Sequence, residues 1–298
     1  MTTNDQDAVV SIQREACTDN DELAHENQVL LEIPRDRAIS LGRETVAILG
    51  EGEYTAPSGR QISLRDPLHS AIRNKVSLPP NALLPPSSPN VSCPSLTVAV
   101  RNETTLKAAR RLAAGGSRVL ALNFAAATHP GGGFLSGARA QEEFLARSSG
   151  LYSTLLNDPM YTHHERHYDP MATEWAILAP DVPVFRADDG ILLEEPWLCT
   201  ILTCAAPYAR RVVNGDPTAA MHGRIERVLS ISQAYEYDAL VLGAWGCGAF
   251  GNDPVAVAGF FQKALFGPFL GAFSQVIFAI TDWSPGRLFL GPFRDAFA

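Results

Sequence analysis

"RVLALNFAAATHPGGGFLSGARAQEEFLARSSGLYSTLLN", residues 118–157, is the stretch from which the fold can be read. It opens with an apolar run, 118–124, of strand length. Three consecutive glycines follow, Gly131, Gly132 and Gly133. Seven residues later come Gln141, Glu142 and Glu143. From there Phe144, Leu145, Leu151, Tyr152, Leu155 and Leu156 recur at helical spacing, which predicts a helix over 141–157. The order is strand, glycine loop, helix. Glycines lack Cβ, so the loop backbone can lie against a ligand and take positive φ without strain. Glu142 and Glu143 fall in the first helical turn beside that loop. Successive helical residues point about 100° apart, so the two acids are expected to meet different parts of one ligand, not to share a proton. The plainer alternative is that they only complement the helix dipole.

The same texture extends in both directions. Apolar runs at 95–100, 175–180, 199–204, 239–244 and 275–280 read as strands, several of them apolar on both faces. Helical patterns lie between them at 104–114, 219–236 and 253–266. The last is well punctuated, with Asp253 as N-cap, Pro254 at the first helical position, and Gly267 and Pro268 at the exit. This alternation predicts an α/β sandwich whose ligand lies at the carboxyl ends of the strands. Residues before 95 differ. Residues 1–27 hold seven acids and one base, Arg14, and read as a polar lead-in, frayed or helical. Helices are predicted over 35–49, ended by Gly50, and over 66–75. "VSLPPNALLPPSSPN", 76–90, has five prolines and reads as a linker or an extended wrap. The expected organisation is a polar segment 1–27, an extension with a Pro-rich connection over 28–94, and a core over 95–298.

Composition narrows the function. The 298 residues carry a net charge of −8, with a pI near 5.4. That argues against general binding of nucleic-acid backbones or anionic membranes. It leaves room for a small anion held by backbone N–H groups. Five cysteines without CxxC spacing fit a reduced intracellular protein without structural zinc. No apolar run reaches 18 residues, and the N-terminus has no signal-peptide pattern. A soluble intracellular protein is expected.

A second glycine loop, "GAWGCGAFGNDP" at 243–254, contains Gly246-x-Gly248-x-x-Gly251. A dinucleotide fingerprint would need an acidic residue about 20 positions on. Residues 264–281 contain none, and only one strand remains. The narrower inference is a backbone that approaches a phosphate, with a packing turn as the alternative. His163 and His167, with Glu165 and Glu174 nearby, fix no third metal ligand by spacing, so no metal site is expected. Cys247 lies inside the second loop, but a nucleophilic thiolate needs a base, and none is evident.

The order Asn123, Gly131-Gly132-Gly133, seven residues, Gln141-Glu142-Glu143 resembles the signature of the poly(ADP-ribose) glycohydrolases of smaller, microbial type. "YTAPSGR" (54–60), "NETTLKAARRLA" (102–113), "ARSSGLYSTL" (146–155), "APDVPVF" (179–185) and "LGAWGCGAFGNDP" (242–254) follow that family's order, so the resemblance spans roughly 30–290. It implies a macrodomain-like three-layer α/β/α sandwich with a mixed central sheet and an N-terminal helical extension. It implies hydrolysis of ribose–ribose bonds, without cofactor or metal, releasing ADP-ribose from chain ends. Glu143 would serve as general acid and then base. Glu142 and Gln141 would hold ribose hydroxyls, and Asn123 would bind one near the reacting centre. Gly131, Gly132 and Gly133 would admit the terminal ribose. Gly246, Cys247, Gly248, Ala249 and Phe250 would cradle the diphosphate, and Glu103 would read the adenine amino group. The alternatives are a core aromatic for Phe250, a turn asparagine for Asn123 and a helix-start acid for Glu103. The expected partner is the ADP-ribose polymer on modified proteins, with ADP-ribose as product and the enzyme a monomer. A non-hydrolysing ADP-ribose reader and a mono-ADP-ribosyl hydrolase are the alternative functions. One departure is Ala126, where many macrodomains carry a second asparagine.

Overall fold

The computed structural model describes residues 10–86 and 93–298. Parts of the polar lead-in (1–9) and of the Pro-rich connection (87–92) lie outside the described residues. Ten strands form: β1 Ser11–Arg14, β2 Glu53–Thr55, β3 Gln61–Ser63, β4 Val76–Leu78, β5 Ser95–Arg101, β6 Val119–Ala125, β7 Ala176–Arg186, β8 Leu192–Ala205, β9 Ala239–Leu242 and β10 Gln275–Ala279. The α-helices are α1 Asp21–Leu31, α2 Arg35–Glu51, α3 Arg65–Asn74, α4 Thr105–Ala114, α5 Gln141–Ser148, α6 Leu151–Leu155, α7 Pro159–Arg166, α8 Pro217–Ala234, α9 Pro254–Leu265 and α10 Leu290–Phe297.

Eight strands make one mixed sheet in the order β1-β5-β10-β9-β6-β8-β7-β4; β2 and β3 form a separate hairpin. Neighbours from β1 to β8 run parallel, and the β8–β7 and β7–β4 pairs are antiparallel. The strand period of two explains why the central runs are apolar throughout. Leu120 and Leu122 point to one face with Leu240, Leu242, Val276 and Phe278, under α8, α9 and α10. Val119 and Ala121 point to the other with Val241 and Ile277, under α4, α5, α6 and α7. This is the expected three-layer sandwich.

The differences from the sequence reading have local causes. The lead-in supplies β1, an exposed edge strand paired with β5, followed by α1. Asn20 caps α1, accepting from Leu23 N at 2.8 Å. α2 runs past Gly50 and ends at Gly52, whose φ of 72° is the left-handed cap that glycine takes without strain. The predicted 141–157 helix is two helices. Ser149 is extended and bridges Val184, and the Gly150 N–H donates to Pro183 O at 2.8 Å. The segment around His163 is α7, capped by Asp158 with Pro159 in its first turn. β4 adds an antiparallel edge from the start of the Pro-rich stretch.

Candidate active site

Strands β6, β8, β9 and β10 run parallel, so their carboxyl ends open at one edge of the sheet. A cavity of about 450 Å³ lies there, within the range of about 300–1,000 Å³ typical of small-ligand sites. Its wall includes Glu103, Gln141, Gly246, Gly248, Ala249 and Phe250. Asn123, Gly131, Gly132, Gly133, Glu142 and Glu143 are not on that wall. They form a buried cluster at its margin, joined to it through Gln141.

Gln141 locks the cluster to the sheet. Its Oε1 accepts from Phe124 N at 2.9 Å, and its Nε2 donates to Leu122 O at 2.8 Å and Thr105 Oγ1 at 3.1 Å. The start of α5 is thereby pinned to the end of β6, where Asn123 is fully buried. Asn123 Nδ2 donates to Thr203 Oγ1 at 3.2 Å and, more weakly, to Glu142 Oε1 at 3.4 Å. Its Oδ1 has no partner among the described residues. Glu142 Oε2 accepts from Ala126 N at 2.6 Å. The position that departs from the macrodomain asparagine thus acts through its backbone. Both oxygens of Glu143 accept backbone N–H groups, Oε1 from Gly133 at 2.9 Å and Oε2 from Ala140 at 3.0 Å.

The loop glycines explain how two adjacent acids reach one place. Gly131 and Gly132 have φ of 71° and 60°. A Cβ on Gly132 would lie 2.3 Å from Glu143 Oε1 and 3.0 Å from Glu142 Oε2. Both carboxylates therefore close on the one missing side chain. The loop folds back between two side chains that helical geometry points about 100° apart. Burial pushes the Glu142 carboxyl up to about 8, and the Glu143 charge adds to it; the Ala126 N–H and Asn123 oppose it.

In the second loop, the N–H groups of Gly246, Gly248, Ala249 and Phe250 have no acceptor among the described residues. Gly248 has open space where a Cβ would stand. N–H groups left unpaired in a glycine loop are the kind of donors that can hold an anion. Cys247 is the exception. Its N–H donates to Ala244 O at 3.1 Å, its side chain is in the core beneath the sheet edge, and burial pushes its thiol up to about 12. Its N–H is thus engaged within the loop, whereas the sequence reading counted it among the donors of the cradle. Phe250 stacks on Tyr208, with centroids 4.7 Å apart and planes 8° from parallel. Arg211 covers the other side of Tyr208 at 4.7 Å. Glu103 is on the wall, but both its oxygens accept from Arg111, at 2.6 and 2.7 Å.

Sequence reasoning missed Tyr208, Phe144, Asp282 and Trp283. The last three line the cavity. Tyr208 and Asp282 follow the carboxyl ends of β8 and β10, and that position was the available signal. Arg147, one helical turn after Glu143, was also missed. It is buried, donates to Ala138 O at 2.7 Å, and is lowered to about 10 by burial. Among the described residues no group of three or more His, Cys, Asp and Glu is placed to hold a metal ion.

Known proteins similar to this chain identify its family. The microbial-type PARG catalytic domain matches residues 42–187. The crystal structure of poly(ADP-ribose) glycohydrolase from Thermomonospora curvata is 43% identical, with a TM-score of 0.82, covering 88% of this chain and 100% of its own. The same enzyme bound to the inhibitor ADP-HPD is similar at 44% identity and a TM-score of 0.81, with the same coverage. The Deinococcus radiodurans enzyme in complex with ADP-ribose is 38% identical, with a TM-score of 0.68, covering 77% of this chain and 96% of its own. No curated protein matches the chain significantly. With a solved relative at 43% identity over most of both chains, and the family's catalytic domain matched inside that span, the chain belongs to the microbial-type poly(ADP-ribose) glycohydrolase family.

Proposed function

We propose that the chain hydrolyses ribose–ribose O-glycosidic bonds of poly(ADP-ribose) and releases ADP-ribose, acting from chain ends. The observation that carries this reading is the convergence of Glu142 and Glu143 on Gly132, beside a cavity with unpaired backbone N–H groups. A reader domain needs the cavity and the cradle. It does not need two buried carboxylates against a glycine.

Glu143, loaded with a proton from solvent, gives it to the leaving 2′ oxygen as the bond from that oxygen to the anomeric carbon breaks. The sugar passes through an oxocarbenium-like state. Water then adds to the anomeric carbon and returns a proton to Glu143. The products are a hydroxyl on the shortened chain and an ADP-ribose hemiacetal. Glu142, the second carboxylate beside Gly132, holds a ribose hydroxyl. Asn123 Oδ1, buried without a donor, is free to accept from one. Gly246, Gly248, Ala249 and Phe250 present N–H groups to the diphosphate, and the Tyr208–Phe250 stack backs them.

The test is Glu143→Gln. Hydrolysis should fall about 10³-fold, within the range of general acid–base catalysis, while ADP-ribose affinity stays within about threefold, well under 1 kcal/mol. Near-normal hydrolysis would sink the assignment. Products from wild-type protein should be monomeric ADP-ribose from the first time point; early oligomers would overturn the chain-end reading. Equal turnover of mono-modified protein would favour the mono-ADP-ribosyl alternative.

A further inference from the structure

One wall of the cavity, beside Glu103, comes from two segments remote in the chain: Leu31 at the end of α1, and residues 279–284 after β10. Asn102, 2% exposed, joins them. Its Nδ2 donates to Asp282 O at 2.7 Å and Asp19 Oδ1 at 2.8 Å. Its Oδ1 accepts from Asn27 Nδ2 at 2.9 Å and Asp282 N at 3.1 Å. Asp282 uses both oxygens on its own turn, accepting from Ser284 N, Ser284 Oγ, Phe289 N and Leu290 N.

Arg287 stands at the tip of that turn. Its Nε donates to Asp19 Oδ2 at 2.9 Å and its Nη2 to Asp21 Oδ1 at 2.8 Å. Its φ is 56°, a conformation that residues with a side chain rarely adopt. Such a backbone persists where its surroundings hold it, and here two carboxylates do. Beyond α1 the chain is tied again: Arg139 Nη1 donates to Ile33 O at 2.7 Å, and Arg35 Nε to Ser136 O at 2.9 Å. Residues 19–35 are therefore fastened to the C-terminal turn, to Asn102, and to the loop between the glycines and α5.

We propose that residues 19–33 form a strap along the nucleoside side of the cavity, and that Arg287 is the positioning residue that latches it against bound ADP-ribose. This rests on the glycohydrolase reading. Leu31 is the strap's residue on the cavity wall, and no hydrogen bond joins residues 19–33 to Glu142 or Glu143, so the latch governs binding and leaves the chemical step alone. Asp19 is its main anchor. Its side chain is 13% exposed, whereas that of Asp21 is fully exposed and its pair is screened by salt.

The experiment measures ADP-ribose Kd by calorimetry, kcat and KM on poly(ADP-ribose), and amide exchange over 21–33. It compares wild type with Arg287→Ala, Arg287→Gly and Asp19→Asn. Loss of the latch should raise Kd and KM about tenfold, which corresponds to about 1.4 kcal/mol, with kcat within about twofold. Exchange over 21–33 should quicken in the variants, and ADP-ribose should slow it in wild type. Arg287→Gly is the control for folding. It relieves the strained φ, so it should be more stable than Arg287→Ala yet bind as weakly. Asp19→Asn keeps an acceptor for Asn102 and should reproduce the loss. Wild-type Kd and KM in Arg287→Gly, or a fall in kcat at constant KM, would overturn the strap alone. Wild-type protein that neither binds ADP-ribose nor cleaves polymer would overturn the glycohydrolase reading and the strap with it.

Discussion

Glu142 is the residue at which burial and charge conflict most directly. It is 4% exposed, close to Glu143, and its carboxyl is pushed up to about 8. An acid raised in the folded state binds its proton more tightly there than in the unfolded chain. The stability from that proton is full below the ordinary value near 4.5 and is lost as pH rises through about 8. Glu142→Gln removes this titration without changing the shape. The melting temperature of the variant relative to wild type should therefore climb between pH 5 and pH 9 and level beyond. Thermal unfolding at four or five pH values checks it; a flat difference would show that Glu142 ionises freely in the folded protein. The two glutamates themselves were legible in the sequence from their place at a helix start beside glycines. Their convergence was not. It depends on Gly132 turning the loop back between side chains that helical geometry alone would separate. The hydrogen bond from Ala126 was equally hidden, because a backbone donor leaves no mark in residue type.

At the scale of elements, the join between the glycine loop and α5 is the most demanding piece of local structure. Ala at position 132 would carry a left-handed backbone cost of about 1–2 kcal/mol. Its Cβ would also overlap Glu143 Oε1 at 2.3 Å, so the carboxylate must move. A displacement near 1 Å at a reacting group can cost about 10²-fold in rate, so Gly132→Ala should lose about that much kcat. Gly59→Ala separates the two effects. Gly59 has φ of 87° with nothing near its missing Cβ, so this variant should lose stability and keep its rate. Equal rates for both variants would remove the argument. The strands of the central sheet were readable because both faces are covered, so most of their positions are apolar. The edge strands were not. β1 is exposed along its length, and β4 lies in a proline-rich stretch that composition marks as irregular. The break after α5 was invisible because the apolar stripe continues across it. The pairing of Ser149 and Gly150 with Val184 and Pro183 of β7 stops the helix.

At the scale of the whole molecule, the site must hold a diphosphate on a protein of net charge −8. The cavity wall offers one cation, Arg139, against Glu103 and Asp282, and both acids are engaged with partners inside the protein. Attraction by side-chain charge is therefore small. On the reading proposed above, backbone N–H groups of the second loop bind the anion at short range. Proteins that hold phosphates with lysine and arginine lose affinity steeply with salt, about one power of the salt concentration per neutralised phosphate. Here the long-range field opposes the ligand, and salt screens that opposition over a Debye length of about 8–10 Å at ordinary ionic strength. ADP-ribose affinity should accordingly stay level or improve slightly when sodium chloride rises from about 50 to 300 mM, a range that spans physiological ionic strength. Calorimetric titrations at three salt concentrations decide it. A slope of log Kd on log salt near or above one would mean that cationic side chains carry the diphosphate, and would move the search from the 246–250 backbone to Arg139 and Arg211.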